Sequence, residues 1–226
     1  MSRKAVFSAL LCILLPIFAF AQATELVSAE KYFDTLSASF GKVSDYVADV
    51  TIVNGKATYH GRLSYKSPLY LRIDFDDPPK MVLNFDGEKL LWYSPQNAVV
   101  LEQDYKKRGS SQIEGMASSQ SFALWKKNFS VAYLSGPSPV PLEDGSREMV
   151  TKLKLVSRGS TNFTQMIISV KDSFIRRVEG TMGGGDKVVM DYTSIRTNQG
   201  IPDSRFKYDA PGTVNTIQDW LFDSTQ

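Results

Sequence analysis

Few residues in this chain are suited to covalent or acid–base chemistry. His60 is the sole histidine among 226 residues, and Cys12 is the sole cysteine. A nucleophile–histidine pair, a zinc centre or a histidine general base would have to be built on His60. That residue sits beside Tyr59 on the polar side of a strand-like run, where a surface role is expected. Asp74, Asp76 and Asp77 cluster before Pro78-Pro79. Paired carboxylates can move protons or hold calcium. No calcium-loop spacing surrounds them, and closing a turn is the simpler role. Gly183-Gly184-Gly185 lacks the Gly-Lys-Ser/Thr and the helix start of a phosphate loop, so it reads as a turn. Cys12 follows Leu11, whereas a lipidation signal wants a small residue there. No metal or cofactor is expected. An enzyme acting on an ester, glycan or peptide has no nucleophile–base pair to use.

The N-terminus explains Cys12. Arg3 and Lys4 precede an apolar run, Ala5 to Phe20, which exits through Ala19-Phe20-Ala21. A basic start, an apolar centre and a small-x-small exit predict a secretory signal peptide over residues 1–21, cleaved after Ala21. The run is short for a membrane anchor and is interrupted by Pro16. The mature chain, residues 22–226, is expected to be one periplasmic domain without cysteine or disulfide. Loss of Arg3 and Lys4 leaves 24 basic against 24 acidic residues. That balance argues against a nucleic-acid binder, which needs a basic excess, and against a polybasic membrane-surface protein.

The elements follow from periodicity. Leu26, Ala29, Phe33, Leu36 and Phe40 recur at helical spacing, predicting an amphipathic helix over 25–41 with Thr24 as cap and Gly41 at its end. From Tyr46 the period becomes two. Strands are predicted over 46–53, 57–66, 70–76, 81–85, 89–93 and 99–105, with Asn54-Gly55 and Asp86-Gly87 as tight turns. Residues 113–127 read as a weak helix, a lid or a surface connection. Strand character returns over 129–134, 148–157, 163–171, 174–179 and 187–196, with a last short strand at 204–208. The fold class is therefore mainly β (α+β). About ten antiparallel strands in one sheet must curl strongly or close on themselves.

Leu63, Tyr65, Leu71, Ile73 and Phe75 share one phase on adjacent strands and are expected to form one wall. Leu83, Phe85 and Trp92 from the next hairpin, with Phe33 and Leu36 from the helix, extend it. Met81, Met116, Met166, Met182 and Met190 could line the same space, since methionine adapts to flexible chains. The same residues would fill an ordinary barrel core, the reading that periodicity alone favours.

The stretch Gly61 to Pro95 carries a resemblance. Gly61, Leu63, Tyr65, Lys66, Pro68 and Arg72 open it, Asp76-Asp77-Pro78 follows, and Asp86-Gly87 leads to Leu91-Trp92-Tyr93. Together with the signal peptide, the first helix, the helical insert and the terminal run Phe206 to Val214, this order resembles the outer-membrane lipoprotein carrier family, LolA. The resemblance implies an unclosed barrel of about ten to eleven antiparallel strands with an N-terminal helix and a mid-chain helical lid, working as a monomeric periplasmic carrier that holds the acyl chains of lipoproteins. It implies an inner-membrane ABC-type exporter as donor and an outer-membrane acceptor. It assigns Met116, Phe122, Leu124 and Trp125 to the lid. Related folds bind other lipids or sense lipoproteins in signalling complexes, and that reading stays open. In the family an arginine before the proline of the Lys-x-Pro segment latches the lid, but here Ser67 stands there. Each buried acyl methylene contributes about 0.8 kcal/mol, so a carrier needs a lid that opens rather than a sealed pocket.

Overall fold

The computed structural model describes residues 27–105, 119–159 and 161–218. The expected signal peptide and the first part of the expected lid, including Met116, lie outside the described residues. The alternating segments form strands β1 (Asp45–Asn54), β2 (Ala57–Lys66), β3 (Tyr70–Asp77), β4 (Val82–Asp86), β5 (Lys89–Ser94) and β6 (Val99–Asp104). The second group comprises β7 (Phe129–Tyr133), β8 (Val140–Pro141), β9 (Met149–Ser157), β10 (Phe163–Lys171), β11 (Phe174–Met182) and β12 (Lys187–Thr197), and β13 (Asn215–Gln218) follows. They pair in the order β13-β6-β5-β4-β3-β2-β1-β12-β11-β10-β9-β7, with β8 attached to β9 off this path. One curved sheet results whose two edges do not meet, as the resemblance implied.

Two expectations about the sheet are corrected. Thirteen strands are present among the described residues rather than ten to eleven, because β8 lies in a proline-rich loop and β13 is only four residues long. The sheet is also not wholly antiparallel, since β13 pairs parallel to β6, with Asn215 opposite Val99 and Gln218 opposite Glu102. The predicted strand at 204–208 is instead a 3-10 turn, Asp203–Phe206. Its alternation arises because Phe206 turns inward, to 1% exposure, while the backbone crosses the sheet rather than joining it.

Turn chemistry sets the hairpins. Gly55 (φ 60°) and Gly87 (φ 91°) occupy the left-handed region, where glycine pays no steric penalty. The Asp86 carboxylate accepts from the backbone N–H groups of Glu88 and Lys89 at 3.0 and 2.8 Å. Gly61 is required for another reason. A Cβ there would lie 2.6 Å from the Asp74 carbonyl oxygen and 2.9 Å from the Phe75 Cα, beside the register shift between β2 and β3. Gly61→Ala is expected to cost about 2 kcal/mol, read as a lowered denaturant midpoint at unchanged slope.

The N-terminal helix α1 runs Ala29–Phe40 and starts later than 25. Its cap is Ser28, whose Oγ accepts from the Lys31 N–H at 3.2 Å; Thr24 lies outside the described residues. The middle helix, α2, runs Ser119–Asn128. Phe33, Leu36 and Phe40 of α1 and Phe122 and Trp125 of α2 join one apolar cluster with the concave residues of the sheet. The helices therefore cover the concave side.

The outer side of β3 to β6 is covered by the chain end. Phe206 stacks on Tyr70 (5.4 Å, 30°), and the Asn84 amide donates to the Phe206 carbonyl at 2.9 Å. Arg72 lies 5.0 Å over the Tyr208 ring and pairs with Asp74 at 2.7 Å, which also pairs with Arg205. At the start of this strap, Asp45, 3% exposed, accepts from the N–H groups of Gln199 (2.6 Å), Gly200 (3.1 Å) and Ile201 (3.4 Å).

Candidate functional site

Register brings the predicted wall together. Leu63 lies opposite Ile73, and Tyr65 opposite Leu71. Ile73 faces Leu83 and Leu71 faces Phe85; Leu83 faces Trp92. Since cross-strand partners share a face, these side chains form two continuous rows. The first continues through Leu101 to Ile217 on β13. The second begins at Tyr46 on β1 and continues through Leu90. Phe75 sits at the end of the wall, 6.1 Å from Tyr59.

Exposure is graded along the first row. Leu63 and Ile73 are fully buried, Leu83, Trp92 and Leu101 are half-buried, and Ile217 is 48% exposed. The closed centre of the face thus opens towards the β6–β13 edge. Leu90, Leu101 and Tyr46 were missing from the sequence-based wall, although the alternation of Leu90 with Trp92 carried the signal. On the other half of the sheet, Leu153, Leu155, Met166, Ile168, Val178 and Met190 belong to the same cluster, as does Met81. Met182 is half-buried at the end of β11.

The concave face also carries hydroxyls. Tyr46 and Tyr65 are 5.1 Å apart, and Tyr65 donates to the Pro68 carbonyl at 3.3 Å. Burial, followed by the neighbouring Tyr192 and Tyr65, pushes the Tyr46 phenol well above its usual range. It therefore remains an uncharged hydroxyl, compatible with an apolar ligand.

The helices close this face through aromatic contacts. Phe122, fully buried, meets Phe33 at 5.3 Å, Phe40 at 4.9 Å and Trp125 at 5.4 Å. Phe40 reaches Phe174 across the sheet at 5.5 Å. Leu124 is half-buried. At the surface, Lys126 bonds Asp34 at 2.5 Å, an exposed pair of small energetic weight. Ser67 lies in the turn between β2 and β3, and its N–H donates to the Ser44 carbonyl at 2.8 Å. The turn breaks the strand parity that would place Ser67 and Arg72 on opposite faces. Among the described residues, α2 is joined to α1 by the Phe122 contacts and by Lys126–Asp34.

The residues first considered for chemistry lie elsewhere. His60 Nδ1 is 3.0 Å from the Thr51 hydroxyl at an exposed position. Asp74 does not simply close a turn; it is an ion-pair partner beneath the strap. Asp76 and Asp77 are exposed. Among the described residues, no group of three histidines, cysteines or carboxylates is placed to hold a metal ion. None of their helices is long and apolar enough to cross a membrane.

The model of the family described as Outer membrane lipoprotein carrier protein LolA matches residues 33–209. The chain belongs to the LolA family. Outer-membrane lipoprotein carrier proteins of Pseudomonas paraeruginosa and Pseudomonas aeruginosa are each 24% identical over 159 residues, covering 70% of this chain and 71% of theirs. A crystal structure of an uncharacterized conserved protein from Thermus thermophilus matches with a TM-score of 0.52 at 11% identity, over 84% of this chain and 98% of that one. MucB matches with a TM-score of 0.51 at 8% identity, over 83% of this chain and 65% of its own. At such identities these two structures share the fold. LolA carriers are binding proteins and not enzymes, which agrees with a concave face lined by apolar groups.

Proposed function

We propose that this LolA-family protein is a periplasmic carrier for lipoproteins. The cargo's acyl chains would lie along the concave rows, and α2 would swing away to admit them. The cargo would come from an inner-membrane ABC-type exporter and go to an outer-membrane acceptor. Residues 1–21 would direct the chain to the periplasm, where residues 22–226 would work as one monomeric unit. The observation that carries this reading is the graded row from Leu63 to Ile217. A sealed core would be buried throughout, whereas this row runs from fully buried Leu63 to half-exposed Ile217.

That rim supplies a test that spares the core. Leu101→Asp puts a carboxylate at the outer part of the row, between Trp92 and Ile217. It is expected to lower affinity for a diacylated lipopeptide tenfold or more while costing about 1 kcal/mol of stability or less. Unchanged affinity would remove the rim from the binding site. Phe75→Glu, suggested by the strand phase, is a poorer test because Phe75 is only 6% exposed, so its buried charge would confound loading with unfolding. Native mass spectrometry of the protein from its own periplasm addresses the cargo. A bound lipoprotein is the expected result; a free lipid, or a stable complex with a membrane regulator, would favour a lipid-binding or sensing role.

A further inference from the structure

Trp125 holds a polar atom that its surroundings do not use. Its side chain is 1% exposed, and among the described residues its indole Nε1 has no hydrogen-bond partner. The group can donate but not accept, and burying it without an acceptor costs on the scale of a lost hydrogen bond. It sits on α2, one turn beyond Phe122, in the same cluster as Leu63, Tyr65 and Ile73. The donor is therefore buried on the helix that covers the concave side, in one apolar cluster with residues of its rows. If the site needed only an apolar ring, phenylalanine would serve, as it does at Phe33, Phe40 and Phe122. By contrast, the Tyr65 hydroxyl on the sheet side already donates to Pro68.

We infer that the indole N–H of Trp125 is held in reserve for the carbonyl oxygen of the cargo's acyl linkage, ester or amide. This rests on the carrier reading, but it goes further by naming the polar group recognised beside the chains. An acyl chain differs from a plain alkyl chain in this carbonyl, and inside a dry face the carbonyl also needs a partner. Loading would satisfy two groups at once. In the empty closed state the unpaired N–H works against closure, so the same atom favours both lid opening before loading and retention afterwards. Trp125 is thus a specificity residue, distinct from the rows that supply affinity for chain length.

The test compares a lipopeptide carrying two ester-linked chains with its ether-linked analogue of equal length. The wild-type protein is expected to bind the ester about five- to tenfold more tightly, the effect of one hydrogen bond. Trp125→Phe should abolish that preference while leaving ether affinity nearly unchanged. The Trp125 Nε1–H proton resonance should move downfield with the ester ligand and not with the ether. Should Trp125→Phe misfold, a benzothiophene in place of the indole keeps the shape and removes the N–H. Equal wild-type binding of the two ligands, or an ester preference that survives loss of the N–H, would overturn the inference and leave the carrier reading standing. Failure of the wild-type protein to bind either ligand would overturn both. A diacyl phospholipid in the same assay separates the sources: an N–H-dependent preference there extends the role to free lipids.

Discussion

Phe122→Ala is expected to free α2 from the concave face. Phe122 is fully buried and touches rings of both helices, Phe33, Phe40 and Trp125. Truncating a buried phenylalanine costs about 3–5 kcal/mol. The sheet keeps its own register without this ring, so the loss should fall first on closure of the lid. Amide exchange in α2 should accelerate by two orders of magnitude or more, since about 1.4 kcal/mol is tenfold in an equilibrium constant. An apolar dye should bind more strongly, while amides of β1 to β3 keep their protection. Phe122→Leu, which nearly conserves volume, should cost under about 1.5 kcal/mol and show little of this. Equal loss of protection across sheet and lid would mean that Phe122 is ordinary core, with no separate closing equilibrium.

Asp45→Ala is expected to destabilise the whole fold by about 3 kcal/mol or more. The carboxylate is 3% exposed and accepts from three successive backbone N–H groups, Gln199, Gly200 and Ile201. Its removal strands three donors at a site with little water, each costing about 1–3 kcal/mol. Asp45→Asn keeps an acceptor and should lose roughly half as much. Chemical denaturation of the three proteins measures the difference, and limited proteolysis locates it. Cleavage after residue 200 should appear in Asp45→Ala before any cut in β1 or β2. A loss below about 1 kcal/mol would show that water replaces the carboxylate at the strap.

The half-barrel was legible where local chemistry decides structure. Asn54-Gly55 and Asp86-Gly87 mark their turns, and alternation from Tyr46 to Trp92 places the wall on one face. Pairing partners are less local. Nothing in the four residues Asn215–Gln218 states that they will lie parallel to β6, because that contact depends on where the strap has been carried. Residues 204–208 alternate like a strand, yet the Phe206 carbonyl is taken by Asn84 and the ring by Tyr70. The helix start illustrates the same limit in miniature: Thr24 and Ser28 are both capping residue types, and it takes the structure to show that Ser28 accepts from the Lys31 N–H. The shared face of the wall was legible in the alternation, and its full membership was not. Leu101 and Ile217 acquire their place only from register across six strands, and the role of Phe122 only from the meeting of two helices distant in sequence.

The strap also bears on the order in which the molecule can assemble. Each strand from β1 to β6 finds its neighbour within a few residues, as do β9 to β12. Asp45 must wait for residues 199–201, and Val99 for Asn215. Contacts of such sequence separation form slowly because a long loop must close first. Until they form, Tyr70, Asn84 and Tyr93 lack their cover and β6 is a bare edge, a template for pairing with another chain. A chain emerging from its N-terminus therefore passes through a nearly complete sheet that is still adhesive on its outer side. The final described stretch, residues 199–218, ends that exposure, so crowding during refolding should penalise a strap-deficient chain far more than the intact one.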